Sequence, residues 1–451
     1  MTTFDDLDLS NQLRNSIEEM GFIHPTPIQE EAFSVVRSGK DVVGIAQTGT
    51  GKTFAYMMPI LRDLKFSKQD TPRVLVLVPT RELVLQVVEE IEKLTTYINL
   101  RVLGVYGGTN INTQKQAIAQ GQDIIVATPG RMYDLALSNV LKLKSIQKLV
   151  IDEVDVMLDL GFRFQLLNIF DLLPPRRQNI MFSATMTQDV EELINDFFKN
   201  PEKVSIAVSG TPLDNIQQTS YHVPNFYTKV NLLNHLLRDK ETFSKVLIFV
   251  AFKRSADLLF TEVEEAFGSE SCVIHSNKTQ NYRIRSIRQF DEGSNRILVA
   301  TDVMARGLDF DEVSHVINFD TPDFPENYMH RIGRTGRAEK EGQTILFSTD
   351  KELEYKEEIE ALMNYAIPVL ELPEGVEISK QLTEDERPKE DQGISKNRTS
   401  LEYVPGAAFH EKSEKNSKTN QGGSYRREIA KKYKKPKTRG DKNYNNRNKK
   451  K

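Results

Sequence analysis

From Phe4 to about Ile206 the chain alternates short β-branched apolar runs with longer amphipathic stretches. The short runs are Val42–Ile45, Val74–Val78, Val102–Val105, Ile124–Val126, Leu149–Ile151, Ile180–Phe182 and Val204–Ile206. A continuous apolar run has no solvent face, so each predicts a strand buried on both sides. Such strands belong to parallel sheets covered by helices. A linker-like stretch follows, Val208-Ser209-Gly210-Thr211-Pro212-Leu213-Asp214-Asn215. The alternation then restarts with Lys245–Val250, Cys272–His275, Ile297–Ala300, Val316–Phe319 and Thr344–Phe347. The pattern predicts an α/β chain of two tandem domains, residues 1–207 and 218–372, each a parallel sheet flanked by helices, joined by a linker at 208–217.

After Leu372 the pattern is lost. Ser379–Arg398 is polar and acidic-to-mixed, and Ser413–Lys451 is rich in Lys, Arg, Asn and Gly, with Tyr425, Tyr433 and Tyr444 interspersed. Too little apolar area is present to offset chain entropy, so residues 373–451 are predicted to form a polar, then basic, disordered tail. The formal net charge of −4 conceals this asymmetry: Lys412–Lys451 holds 16 Lys and Arg against 3 Asp and Glu, and the remainder holds 44 against 61. A basic tail on an acidic body predicts a polyanionic partner. The single cysteine, Cys272, excludes an intrachain disulfide and a thiolate metal cluster, and suits a reducing cytoplasm. Met1-Thr2-Thr3-Phe4-Asp5-Asp6 lacks the features of a signal peptide, and no apolar run is long enough for a membrane span.

The strand candidate Val42–Ile45 leads into Ala46-Gln47-Thr48-Gly49-Thr50-Gly51-Lys52-Thr53 and then a helix-like segment, Phe54 to Leu64. A glycine-bearing loop between strand and helix closes backbone N–H groups around phosphate oxygens, and the helix N-terminus adds partial positive charge. Lys52 is expected to reach the β- and γ-phosphates and the Thr53 hydroxyl to bind Mg²⁺. Ala46 stands where the usual pattern begins with glycine. The acidic partner follows another strand candidate: Leu149-Val150-Ile151 runs into Asp152-Glu153-Val154-Asp155. Asp152 fits the carboxylate that holds Mg²⁺ on the phosphates, Glu153 is placed to orient or deprotonate the attacking water, and Asp155 links the site to its neighbours.

Asp-Glu-Val-Asp resembles the signature of the DEAD-box RNA helicases, with Val154 in place of the family's alanine. The resemblance covers about Phe4 to Leu372 and includes nearly every motif in order; the arrangement is most similar to the bacterial RhlE-like branch. It implies two RecA-like domains, ATP and Mg²⁺ as cofactors, and RNA as the partner. Gly21-Phe22 and Pro25-Thr26-Pro27-Ile28-Gln29 resemble the family's Q motif. A primary amide offers both donor and acceptor to an adenine edge; by resemblance Gln29 does this beside Phe22, while Thr48, Gly49, Thr50, Gly51, Lys52 and Thr53 hold the phosphates. ATP is therefore expected over GTP. Pro79, Thr80 and Arg81, then Gly107-Gly108, then Thr128, Gly130 and Arg131 each follow a predicted strand and so share one sheet edge, where open α/β folds bind ligands. They match the family's RNA motifs, whose donors position a sugar–phosphate strand without reading bases.

Ser183-Ala184-Thr185 resembles the motif coupling ATP state to RNA binding, and its hydroxyls are expected on Asp155. In the second half, Arg254, Arg283 and Thr301 match RNA-facing positions, and Gly307 and Asp309 match contacts to ATP across the cleft. Ser276 replaces the family's glycine after His275. In His330-Arg331-Ile332-Gly333-Arg334-Thr335-Gly336-Arg337, Arg334 and Arg337 match charge-stabilising arginine fingers and His330 an interdomain coupling residue. Hydrolysis would then need both domains closed on one ATP, with one RNA strand bent out of helical geometry. ATP and RNA binding would be reciprocally coupled, and the tail would tether RNA by charge. The chain is expected to be a monomer. Val154 keeps all three carboxylates; if its two extra methyl groups cannot be accommodated, overpacking of about 1–3 kcal/mol would shift Asp155. Two other functions fit less of the sequence: a nonenzymatic RNA-annealing protein acting through its tail, and a related DNA helicase. Lys52, Glu153, Arg334 and Arg337 argue against the first, Gln29 and Thr128–Arg131 against the second.

Overall fold

The computed structural model describes residues 2–46, 49–206, 215–305, 308, 310, 312–336 and 341–387. Thr48, Gly307, Asp309, Arg337, most of the predicted linker and the basic end of the chain lie outside the described residues.

Among the described residues fourteen strands form two sheets. The first holds β1 (Val42–Ile45), β2 (Val74–Leu77), β3 (Val102–Val105), β4 (Ile124–Ala127), β5 (Lys148–Ile151), β6 (Gln178–Ser183) and β7 (Glu202–Ser205), in the order β3-β4-β2-β5-β6-β1-β7. The second holds β8 (Ile216–His222), β9 (Val246–Val250), β10 (Ser271–Ile274), β11 (Ile297–Thr301), β12 (His315–Asn318), β13 (Gly342–Ser348) and β14 (Val369–Leu370), in the order β10-β11-β9-β12-β13-β8-β14. Every pairing is parallel.

The continuous apolar runs divide between two faces with the period of two that a strand imposes. Val42, Val74, Val76, Ile124, Val126, Val150, Ile180 and Phe182 enter one core layer, and Val43, Leu75, Leu77, Ile125, Leu149, Ile151 and Met181 the other. The second sheet divides likewise, with Val246, Ile248 and Val250 on one side and Leu247 and Phe249 on the other. Cys272 is buried in this latter layer, with its Sγ facing the Ser286 carbonyl. Because every strand is parallel, the loops that follow them gather at the carboxyl ends, and the first-domain motifs that follow β1 to β6 lie there.

Two strands were not predicted. β8 begins at Ile216, inside the stretch expected to be linker. Its sequence, Ile-Gln-Gln-Thr-Ser-Tyr-His, is polar because Gln218 faces a buried hydroxyl, Tyr328 Oη, which donates to its Oε1 at 2.8 Å. β14 has two exposed residues and pairs only with β8.

The expected boundary at Leu372 also needs correction, since residues 373–387 pack against the second domain. Leu372 and Val376 cover its core. Asn231 Nδ2 donates to the Glu377 carbonyl (2.8 Å), Asn225 Nδ2 to the Ser379 carbonyl (2.6 Å), and Ser379 N to Thr228 Oγ1 (3.1 Å). Glu386 Oε1 accepts from Phe226 N (2.7 Å), at the first residue of helix Phe226–Leu237, where a carboxylate meets unpaired N–H groups and the positive end of the helix. Polar contacts anchor this strap, so a count of apolar residues did not register it.

Candidate active site

The phosphate loop leaves β1 and enters the helix Lys52–Asp63. Gly49 and Gly51 have φ of 81° and 83°, in the left-handed region. A Cβ on Gly51 would also overlap the Gln29 amide. That amide donates to the Gly51 carbonyl (3.2 Å) and accepts from Thr26 N (3.0 Å), while Thr26 Oγ1 donates to the Thr50 carbonyl (2.8 Å). The Q-motif helix, Pro27–Arg37, is thereby fastened to the phosphate loop. Phe22 lies edge-on to Phe54 at 5.8 Å and is half exposed.

Lys52 and Asp152 are both buried, with Lys52 Nζ 3.9 Å from Asp152 Oδ1. The ammonium has no hydrogen-bond partner among the described residues, and neither has Glu153 Oε2. A buried ammonium without an acceptor calls for an anionic ligand, so the donor set fits a nucleotide phosphate. Asp152 Oδ1 accepts from Glu153 N (2.9 Å) and Oδ2 from the Tyr56 hydroxyl (3.2 Å). A buried carboxylate at this place suits Mg²⁺, which keeps waters and takes phosphate oxygens for its other positions. Among the described residues no three His, Cys, Asp or Glu side chains converge on a metal position.

Glu153 caps the helix Val154–Asp159 with φ of 54°. For a residue other than glycine this conformation costs about 1–3 kcal/mol and is characteristic of functional sites. Burial pushes the Glu153 carboxyl up from its ordinary range, against the lowering charges of Lys52 and Arg334. Burial likewise raises Asp152, with Lys52 and the Tyr56 hydrogen bond opposing it.

Asp155 is buried too, but its carboxyl is held below the usual range, because His330, Lys52 and its hydrogen bonds together outweigh burial. Its Oδ2 accepts from Ala184 N (3.1 Å), Thr185 N (2.9 Å) and Thr185 Oγ1 (2.9 Å), and lies 3.6 Å from His330 Nε2 of the second domain. Of the two hydroxyls expected on Asp155, Thr185 reaches it, whereas Ser183 Oγ donates to the Thr185 carbonyl (2.6 Å). Val154 is fully buried next to Asp155, which keeps four donors, Val156 N, Ala184 N, Thr185 N and Thr185 Oγ1, with the valine present.

From the second domain, helix Pro325–Ile332 delivers His330, and Arg334 follows it. The buried Arg334 donates from Nη1 to the Leu308 carbonyl (2.7 Å) and from Nε to the His330 carbonyl (3.2 Å). Arg331 has a different function: it forms a two-pronged ion pair with Asp302 (2.6 and 2.7 Å) and braces the motif from within. Asp155, Thr185, Thr301 and His330 together line a cavity of about 700 Å³, so the coupling residues and Thr301 share one space.

At the sheet edge, Pro79 is buried and Thr80 caps the helix Arg81–Leu94 by accepting from Leu83 N (3.2 Å). Arg81 lies against Gly108, where a Cβ would overlap its guanidinium. Thr128 and Gly130 stand at the start of helix Pro129–Leu137, with open space beside Gly130. Arg131 is directed by Gln114 Oε1 (2.8 Å) and the Thr109 carbonyl (3.0 Å). Thr301 ends β11. Arg254 is exposed and pairs with Glu384 of the strap. Arg283, by contrast, is turned into the domain interface: its Nη1 lies 3.0 Å from Glu82 Oε1, Gln280 Nε2 donates to the same oxygen (3.2 Å), and Arg81 Nη1 donates to Gln280 Oε1 (3.2 Å).

The family model described as DEAD/DEAH box helicase matches residues 26–193, and that described as helicase conserved C-terminal domain matches residues 228–339. The CshA DEAD-box ATP-dependent RNA helicase of Geobacillus kaustophilus is 41% identical over 353 residues, 78% of this chain and 75% of that protein. The chain belongs to the DEAD-box RNA helicase family. The ATP-dependent RNA helicase DeaD of Buchnera aphidicola is 38% identical over 383 residues, 85% of this chain; the chain spans 63% of that relative's length. Among solved structures, S. cerevisiae Dbp5 bound to RNA and ADP BeF3 superposes with a TM-score of 0.76 at 28% identity, covering 82% of this chain and 96% of that one. Within this DEAD-box chain, sequence alone did not reveal the roles of Tyr56, Glu82 and Arg331. Nothing in the sequence paired Glu82 with Arg283, which had been expected on the RNA.

Proposed function

We propose that the protein is an RNA-dependent ATPase that opens short RNA duplexes locally. The observation that carries this is the meeting of two domains on one cleft: Lys52, Asp152 and Glu153 come from the first, and Arg334 and His330 from the second. In this mechanism Lys52 takes up β- and γ-phosphate oxygens, Glu153 orients the attacking water and accepts its proton, and Arg334, with Arg337, offsets charge developing on the γ-phosphate. Thr53 and Asp152 would hold Mg²⁺, and the ion would supply charge neutralisation at the phosphate oxygens when bound. Gln29 retains one N–H and one oxygen lone pair for the adenine edge beyond its bonds to Gly51 and Thr26, and Gly307 and Asp309 are assigned to ATP by their match to the family motif alone.

Asp155 and His330 connect nucleotide to closure, and Pro79, Thr80, Arg81, Gly108, Thr128, Gly130, Arg131, Thr301 and Arg254 carry the RNA backbone. Arg283 acts by joining the domains through Glu82. Closure is favoured by both ligands, so each strengthens binding of the other. We take the domains as 1–207 and 216–387, with RNA additionally tethered by the basic segment Lys412–Lys451. The monomeric state is the default, and the cytoplasmic site is supported by the single cysteine. No helix among the described residues is long and apolar enough to cross a membrane. Placement in the RhlE-like branch rests on the basic segment Lys412–Lys451 that follows the two domains.

ATPase rate with and without RNA, with single-stranded DNA as control, tests the proposal on the full chain and on a form ending at Arg387. Stimulation by RNA but not DNA in both forms is the expected result. Absence of hydrolysis under every condition would overturn it.

A further inference from the structure

We propose that Tyr56 is a positioning residue for the carboxylate that takes Mg²⁺, orienting Asp152 without neutralising it. The proposal rests on the assignment of Mg²⁺ to Asp152 made above. Tyr56 lies one turn after Lys52 on the helix Lys52–Asp63, so both side chains leave the same helix face toward β5. The ring is wholly buried and packs on Phe182 at a centroid distance of 5.6 Å. That packing places the phenolic oxygen, which donates to Asp152 Oδ2 at 3.2 Å and is also hydrogen-bonded to the Thr53 side chain. The other oxygen, Oδ1, accepts from Glu153 N at 2.9 Å and faces Lys52 Nζ at 3.9 Å. Both carboxylate oxygens are therefore directed by donors belonging to the chain, and rotation about the Asp152 side chain would break one bond or the other.

The chemical type of the donor matters. An arginine or lysine at this place would also fix Asp152, but its charge would compete with a divalent cation for the same carboxylate. A phenol is neutral, so it sets the orientation and leaves the negative charge available. Burial excludes water from the Oδ2 side, so nothing replaces the phenol if it is lost. Second-sphere donors of this kind tune a metal ligand without touching the metal.

Tyr56→Phe in the full chain removes the hydroxyl and keeps the ring against Phe182. The measurement is binding of fluorescent N-methylanthraniloyl-ADP across a Mg²⁺ series and in EDTA, with a thermal melt of each protein. The expected result is a half-saturating Mg²⁺ concentration raised about tenfold, an affinity in EDTA equal to the parent's, and an unchanged melting transition. Superimposable Mg²⁺ titrations of variant and parent would overturn the proposal and leave Tyr56 a packing residue. An equal loss of affinity with and without Mg²⁺ would overturn it as well, since that is general damage to the pocket. If nucleotide binding by the parent does not respond to Mg²⁺, the assignment of Asp152 fails, and the proposal fails with it.

Discussion

At the residue scale, the motifs that hold the charged candidates were legible and the contacts that restrain them were not. Lys52, Asp152, Glu153 and Arg334 were picked out by motif spacing, and all four are buried. Tyr56 reads as one more apolar position of a buried helix, and only the three-dimensional contact discloses its hydroxyl. Glu153→Gln tests the assigned base: hydrolysis is expected to fall by roughly 100-fold or more, while nucleotide binding persists because Lys52 and the loop are untouched. Val154→Ala tests the departure from the family signature. Asp155 is held by the backbone of Ala184 and by Thr185, neither of which depends on the valine side chain. The substitution should therefore change ATPase rate little and lower stability by about 1–2 kcal/mol through the space it leaves. A tens-fold gain in rate would instead mean that the valine impairs the site; parallel denaturant melts and ATPase assays separate the two effects.

Among the elements, the strands that carry apolar runs were visible because burial on both faces leaves a composition that few other structures share. The two absent from the expectation, β8 and β14, are polar or very short. Contacts between elements of different domains were hidden for another reason: nothing in local periodicity says that Glu82, on a helix of the first domain, meets Arg283 of the second. Breaking a buried pair by removing one partner leaves an uncompensated charge, at about 3–5 kcal/mol. Because Glu82 and Arg283 bridge two domains, that cost should fall on their association rather than on either fold. Glu82→Gln and Arg283→Gln are each expected to lower RNA-stimulated ATPase at least tenfold, the equivalent of about 1.4 kcal/mol. Together they should do less harm than the sum of the two, and a double-mutant cycle on the stimulated rate checks this. Strictly additive losses would assign the two residues to independent tasks.

Over the whole molecule, two tandem parallel sheets followed from the sequence. The extent of the second domain did not, because the strap to Arg387 is anchored chiefly by hydrogen bonds of Asn225, Asn231, Thr228 and Glu386, with Val376 its apolar contact to the core. Glu386→Ala removes the acceptor at Phe226 N, and loss of such a cap costs about 1 kcal/mol. The thermal transition of the second domain should drop by roughly 2–4 °C, and ending the chain at Leu372 should lower it further. Equal melting of all three forms would reduce the strap to a passive covering.

The burial of Cys272 has a practical corollary. Its thiol is pushed up to about 12 by desolvation, which leaves almost no thiolate at neutral pH. The native chain should accordingly ignore maleimides until it unfolds. It is its own cysteine-free background: one new surface cysteine in each domain could be dye-labelled selectively, and energy transfer between the dyes would follow the cleft opening and shutting in single molecules.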